Sequence, residues 1–197
     1  KPVYGVGVND LGYRTQVWEW VTENGGKRIQ KTVFKCPYYE VWRNMLQRCY
    51  SEKYQERWTT YIGVTVCDEW RSFMKFREWW LENHVEGWHL DKDLLTDNRQ
   101  YSPDSCIYVP AWLNCFNLDS GASRGQCPIG VSYHIRDKSF VSLCCNPKTG
   151  RREHLGYFKT KEPARIAWMS RKIELAAQMK ADMDAIDKRI YPRVVEI

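Results

Sequence analysis

The chain has 197 residues, with 30 Lys and Arg against 24 Asp and Glu, for a net charge of +6. That length allows one domain with a large core or two small ones. No apolar run is long enough to cross a bilayer and no signal peptide is evident, so a cytoplasmic protein without a membrane partner is expected.

The eight cysteines stand at 36, 49, 67, 106, 115, 127, 144 and 145, and none forms a C-x-x-C pair. This argues against a zinc ribbon, leaves a zinc site assembled from distant cysteines as the alternative, and fits free thiols in a reducing compartment. The charge is unevenly spread. Residues 1 to 124 carry 16 basic and 16 acidic side chains, while 125 to 197 carry 14 and 8. The excess therefore falls in the last third, which points to a basic nucleic-acid-binding module attached to a neutral one. A solvated helical surface beyond 159 is the alternative. Nine of the ten tryptophans precede residue 124. Most are expected in an aromatic core of the first module, with one or two free to stack on bases or meet a partner.

In chain order, residues 3 to 8 and 15 to 21 read as strands. Asn24-Gly25-Gly26-Lys27 reads as a turn, and 28 to 34 as the returning strand. After Pro37, the spacing of Val41, Trp42, Met45, Leu46 and Cys49 predicts an amphipathic helix. Residues 51 to 60 read as loop and 61 to 66 as a strand. Asp68 is expected to cap a helix holding Trp70, Phe73, Phe76, Trp79 and Trp80. Short strands follow at 90 to 95 and 107 to 109, then a helix from Pro110 to about Leu118. The small polar stretch from Asp119 to Gly125 is the best linker.

Beyond it come Gly130-Val131-Ser132-Tyr133, then Lys138 to Leu143, then Arg152 to Phe158. These are three short alternating runs, with a helix opening at Thr160. Ile166, Met169, Ile173, Ala176, Met183, Ile186 and Ile190 continue at helical spacing. That stripe either packs on the first module or offers a dimer or partner surface.

The Gly-Val-Ser start, the aromatic second strand and His154-Leu155-Gly156-Tyr157-Phe158 before Thr160 resemble the APETALA2-type DNA-binding domain over about 128 to 178. The resemblance implies a sheet in the major groove of duplex DNA. By position Ser132, His134, Leu143, Cys145, Arg152 and His154 fall on its outward face. Arg136, Arg152 and His154 are the expected readers, and Lys138, Lys148, Arg151 and Lys159 the expected phosphate contacts. Where the family often has arginines this chain has Ser132 and Cys145, so the family's base specificity does not carry over.

Residues 90 to 114 run strand, loop, strand, helix, through Leu90-Asp91-Lys92-Asp93 and Tyr101 to Pro110 to Asn114. With Tyr39 to Tyr50 and Val66 to Trp70 upstream, they resemble phage HNH endonucleases built on a ββα-metal finger. Together the two resemblances cover about 38 to 178. They imply a Mg²⁺ or Mn²⁺ ion held by Asp91 and Asn114, with the family's loop Asn falling near Ser105. Lys92 stands where the family has its catalytic His. A lysine is a poor base unless its pKa is depressed. His89, two residues before Asp91, shares its face in an extended strand and is the other candidate, with His84 behind it.

The expectation is an α+β chain. An HNH-like ββα module with a β-hairpin and flanking strands and helices spans 1–119, and a linker 120–127. A three-stranded sheet backed by one long C-terminal helix spans 128–197. Three functions remain open: a phage-type, possibly homing-type, endonuclease of double-stranded DNA in the host cytoplasm; a catalytically degenerate DNA-binding or host- or defence-inhibiting protein; and an RNA enzyme or binder.

Overall fold

The computed structural model describes residues 1–12, 14–23, 25–118 and 125–196. Its strands are β1 (Gln16–Thr22), β2 (Arg28–Lys35), β3 (Thr65–Val66), β4 (His89–Asp91), β5 (Gln100–Tyr101), β6 (Ile107–Val109), β7 (Val131–His134), β8 (Ser139–Cys145) and β9 (Arg152–Phe158). Its helices are α1 (Pro37–Tyr50), α2 (Glu52–Arg57), α3 (Phe73–Asn83), α4 (Ala111–Phe116), α5 (Lys161–Gln178), α6 (Lys180–Ile186) and α7 (Ile190–Val195). This is a mixed α+β chain with small sheets. Among the described residues no helix is long and apolar enough to cross a membrane.

Two compact units form. Residues 1–84 and 96–106 make the first, and residues 85–95 and 107–197 the second. This division by packing differs from the boundary read at 120–127. It assigns β4, β6 and α4 to the same unit as the C-terminal sheet. Residues 120–124 of the expected linker, like Asn24 of the expected turn, lie outside the described residues.

In the first unit α1 forms as its apolar spacing requires. Trp42, Met45, Leu46 and Cys49 are buried on one face, and the Trp42 indole N–H donates to the Trp70 carbonyl at 2.7 Å. Several local expectations change. Residues 3–8 are not a strand but a tight turn, in which the Val3 N–H donates to the Gly7 carbonyl at 2.7 Å. The stretch 51–60 is not loop, because the Ser51 hydroxyl accepts the Tyr54 N–H and starts α2. Of 61–66 only β3 pairs as a strand, since Tyr61 ends a 3-10 turn and its carbonyl accepts the Val64 N–H. Asp68 caps nothing; Ser72 does, taking the Lys75 N–H at 3.2 Å to begin α3. Capping needs extended backbone at the cap position, and Ser72 has it at ψ 126° where Asp68 is helical at ψ −36°.

In the second unit, β7, β8 and β9 form an antiparallel sheet in that order, with α5 on one face. The expected single long C-terminal helix is three. Hydrogen bonds from the Met179 N–H close α5, and Asp187 accepts the Arg189 N–H with its side chain to turn the chain before α7. The breaks bring Leu175, Met179, Met183, Ile190 and Val194 into one core with Leu94, Leu95, Val109, Leu113 and Phe116. Burying that stripe outweighs continuing a helix that would leave half of it in water. Ile166 and Ile173 remain exposed.

Candidate functional site

β4 and β6 pair antiparallel, His89 opposite Val109 and Asp91 opposite Ile107. Pro110, with no N–H to waste, opens α4 directly after β6, and its carbonyl accepts the Asn114 N–H at 3.2 Å. The result is a ββα element. Asn114, one turn into the helix, meets the imidazole of His89, its amide nitrogen 3.1 Å from Nδ1. His89 and Asp91, two apart on one strand, share a face.

Asp91 has a second task. Its Oδ1 accepts the N–H groups of Asp93 and Leu94 at 2.8 and 2.9 Å, ending the strand well short of residue 95. That leaves Oδ2 for a ligand. Lys92 is only 8% exposed and its ammonium is ion-paired with Asp93, so it does not stand beside His89 as a free cation.

The donors suit a hard divalent ion in kind. Mg²⁺ takes one or two protein oxygens and completes its shell with water and phosphate. Oδ2 of Asp91 and Oδ1 of Asn114 are such oxygens. Among the described residues no group of three or more His, Cys, Asp or Glu side chains is placed to hold a metal. The amide of Asn114 also sets the imidazole. With its nitrogen donating to Nδ1, the ring proton lies on Nε2. With the amide turned over, Nδ1–H donates to Oδ1 and Nε2 is left as a base.

The other expected residues lie elsewhere. Ser105 is buried in the first unit, its hydroxyl donating to the Gln100 carbonyl at 2.6 Å and facing the Ser102 hydroxyl at 3.0 Å. His84 closes α3 and stacks on Trp80 with ring centroids 3.9 Å apart.

The three-stranded sheet sends alternate side chains to its two faces, with buried Val141 on the outward one. Val131, Ser142, Cys144 and Glu153 face α5. Glu153 is bound by Arg171 at 2.6 and 3.1 Å and by Asn146 at 2.7 Å, which holds its carboxyl down at about 2. Ser132, His134, Leu143, Cys145, Arg152 and His154 take the opposite face, as the alternation requires.

A bulge at Leu155 then reverses the parity of β9. Ser142 pairs with Gly156 while Leu143 pairs with His154. Tyr157 is thereby turned outward, 59% exposed, with its ring 4.7 Å from His154 and 6.4 Å from His134. Strict alternation hides Tyr157. Gly156, at φ +134°, is the signal that could have revealed it, since glycine inside a strand marks a bulge.

Basic groups flank this aromatic centre at both ends of β8. Arg136, Lys138 and Lys159 stand exposed at one end; Lys148, Arg151 and Arg152 stand exposed at the other. The turn carrying Lys148 and Arg151 is braced by Asn146, whose Oδ1 accepts the N–H groups of Lys148 and Thr149. Next to Arg152 a cleft of about 510 Å³ opens, lined also by Ser132, Leu143, Cys145 and Lys172.

Comparison of the chain with family models, with curated proteins and with solved structures found no match in any of the three.

Proposed function

We propose that this protein binds duplex DNA through the open face of the β7–β8–β9 sheet and hydrolyses phosphodiester bonds at the β4–β6–α4 element. The observation that carries the reading is the bond between His89 and Asn114, which joins β4 to α4 with Asp91 on the face of His89. A divalent ion held by Asp91 and Asn114 would neutralise the phosphate and stabilise the departing 3′ oxygen. His89 removes the proton from the attacking water at Nε2 as a P–O bond forms and the P–O3′ bond breaks. This needs Nδ1–H donating to one lone pair of Asn114 Oδ1, the other lone pair being the one that would face the ion. The basic ends of the sheet hold backbone phosphates, while Arg152, His154 and Tyr157 meet the groove.

The test is cleavage of double-stranded DNA by the full chain with Mg²⁺ or Mn²⁺ against EDTA. Asp91→Asn keeps an acceptor for the Asp93 and Leu94 N–H groups while removing the carboxylate charge. It should abolish cutting and leave duplex affinity within about twofold. Cutting by that variant at the wild-type rate sinks the catalytic assignment.

The burial of Lys92 at the family's histidine position favours a second reading, DNA binding without hydrolysis. It predicts duplex binding with no metal-dependent cutting by either protein.

A further inference from the structure

The hairpin of β1 and β2 has no part in that reading. Not one of its residues is buried. The register puts Gln16, Trp18, Trp20 and Thr22 on one face with Arg28, Gln30, Thr32 and Lys35, after a bulge that leaves Val33 unpaired. On this face Trp18 is 47% and Trp20 62% exposed. Their cross-strand partners are Thr32 and Gln30, too small or too polar to cover an indole. The Arg28 guanidinium lies over the Trp20 ring at 5.8 Å, and the Gln16 amide donates to the Thr32 hydroxyl at 3.1 Å.

Charge follows the same pattern. Residues 14 to 35 hold five basic and two acidic side chains, whereas residues 1 to 124 as a whole are neutral. The even total of the N-terminal region conceals a basic hairpin. Arg14, Lys27, Arg28, Lys31 and Lys35 are all exposed.

We infer that the Trp18–Trp20 face of this hairpin is a stacking platform for the unpaired bases of single-stranded nucleic acid. Two indoles on alternate residues of a strand stand about 7 Å apart. That spacing lets each take one base of an extended strand, while the surrounding cations follow its phosphates. Stacking on an indole requires a base face that is not already covered, so duplex is excluded from this surface though not from the sheet. Lysines are depleted in protein-docking patches, whereas Lys35 closes one end of this face and Lys27 and Arg28 lie at the other. Gln30 and Thr32 across from the rings, and Arg28 beyond Trp20, match base edges and phosphates.

The experiment titrates the full chain with labelled oligothymidylate, oligouridylate and a blunt duplex, at two salt concentrations. Trp18→Ala/Trp20→Ala should weaken both single strands by tenfold or more and leave duplex affinity unchanged. Trp18→Phe/Trp20→Phe should restore most of the loss, because a phenyl ring still stacks. Arg152→Ala should show the opposite preference, weakening duplex alone, so failure of the platform and failure of the sheet reading are separately visible. The two single strands distinguish DNA from RNA as the source of the bases. The inference is overturned by equal single-strand binding of the wild type and the alanine variant, or by an equal loss on duplex. It is also overturned by a wild type that binds no single strand but self-associates through the hairpin in sedimentation.

Discussion

The two exposed sheet surfaces of this molecule are built on opposite principles. The β7–β8–β9 sheet has a covered back. Val131, Ser142 and Cys144 are buried, Glu153 is pinned by Arg171, and Trp168 of α5 lies directly against the chain at Gly130. Its front is therefore presented in a fixed geometry. The β1–β2 hairpin has no buried residue on either face. A two-stranded ribbon of that kind is marginal by itself. Under the proposed roles, the covered sheet would meet the duplex and the uncovered ribbon the single strand.

The comparison breaks most visibly at Gly130. Its φ is +76°, and a Cβ there would lie 2.0 Å from Cδ1 of Trp168. Gly130→Ala must strain the backbone and push the indole off the sheet, at a cost of about 2–5 kcal/mol. Urea unfolding should show the midpoint fall accordingly. An unchanged midpoint would mean that the back of the sheet is not closed as described.

Lys172 sharpens the same point with a smaller effect of opposite sign. It is 4% exposed on α5, its ammonium donating to the Phe116 carbonyl and lying 3.3 Å from the centre of that ring. Burial brings its pKa from 10.5 down to about 8, against the pull of Cys144 and Cys145. Between those values the unfolded chain holds a proton that the folded chain has released, so stability rises with pH from about 8 to 10.5. Below 8 the full penalty of the buried charge applies. Lys172→Met should therefore stabilise the protein at neutral pH by about 1–3 kcal/mol, with the gain shrinking toward pH 10. Urea melts at pH 7 and pH 10 measure both. A variant less stable at pH 7 would show that the Phe116 contacts outweigh burial.

The smallest effect is at the front of the sheet. Arg152→Ala should weaken duplex binding about fivefold, roughly 1 kcal/mol, and narrow the affinity differences between duplex sequences. Affinity for a panel of duplex sequences checks it, and an unchanged spread removes Arg152 from the groove.

The expected ββα geometry was legible because it rests on local rules. Pro110 after a strand suits the start of a helix, and Asn114 follows one turn later. The outward set of the sheet was legible for the same reason, as strand parity needs no tertiary information. The His89–Asn114 bond was only half visible. Parity puts His89 with Asp91, but no local rule brings a side chain from α4 onto β4. Tyr157 was invisible to parity because a single bulged residue reverses it.

What the sequence alone determined, then, is whatever short-range physics dictates: α1 from its apolar spacing, the β1–β2 hairpin, the three alternating runs from 131 to 158, and the basic excess after residue 125. What only the tertiary structure decided depends on competition between local preference and burial. The stripe from Ile166 to Ile190 reads as one helix, yet the chain breaks at Met179 and again before Ile190. Only the folded chain brings Leu94, Val109, Leu113 and Phe116 to the place where Met183 and Ile190 are buried. Long-range apolar burial made that choice, and helical periodicity, which repeats unchanged through both breaks, carries no record of it.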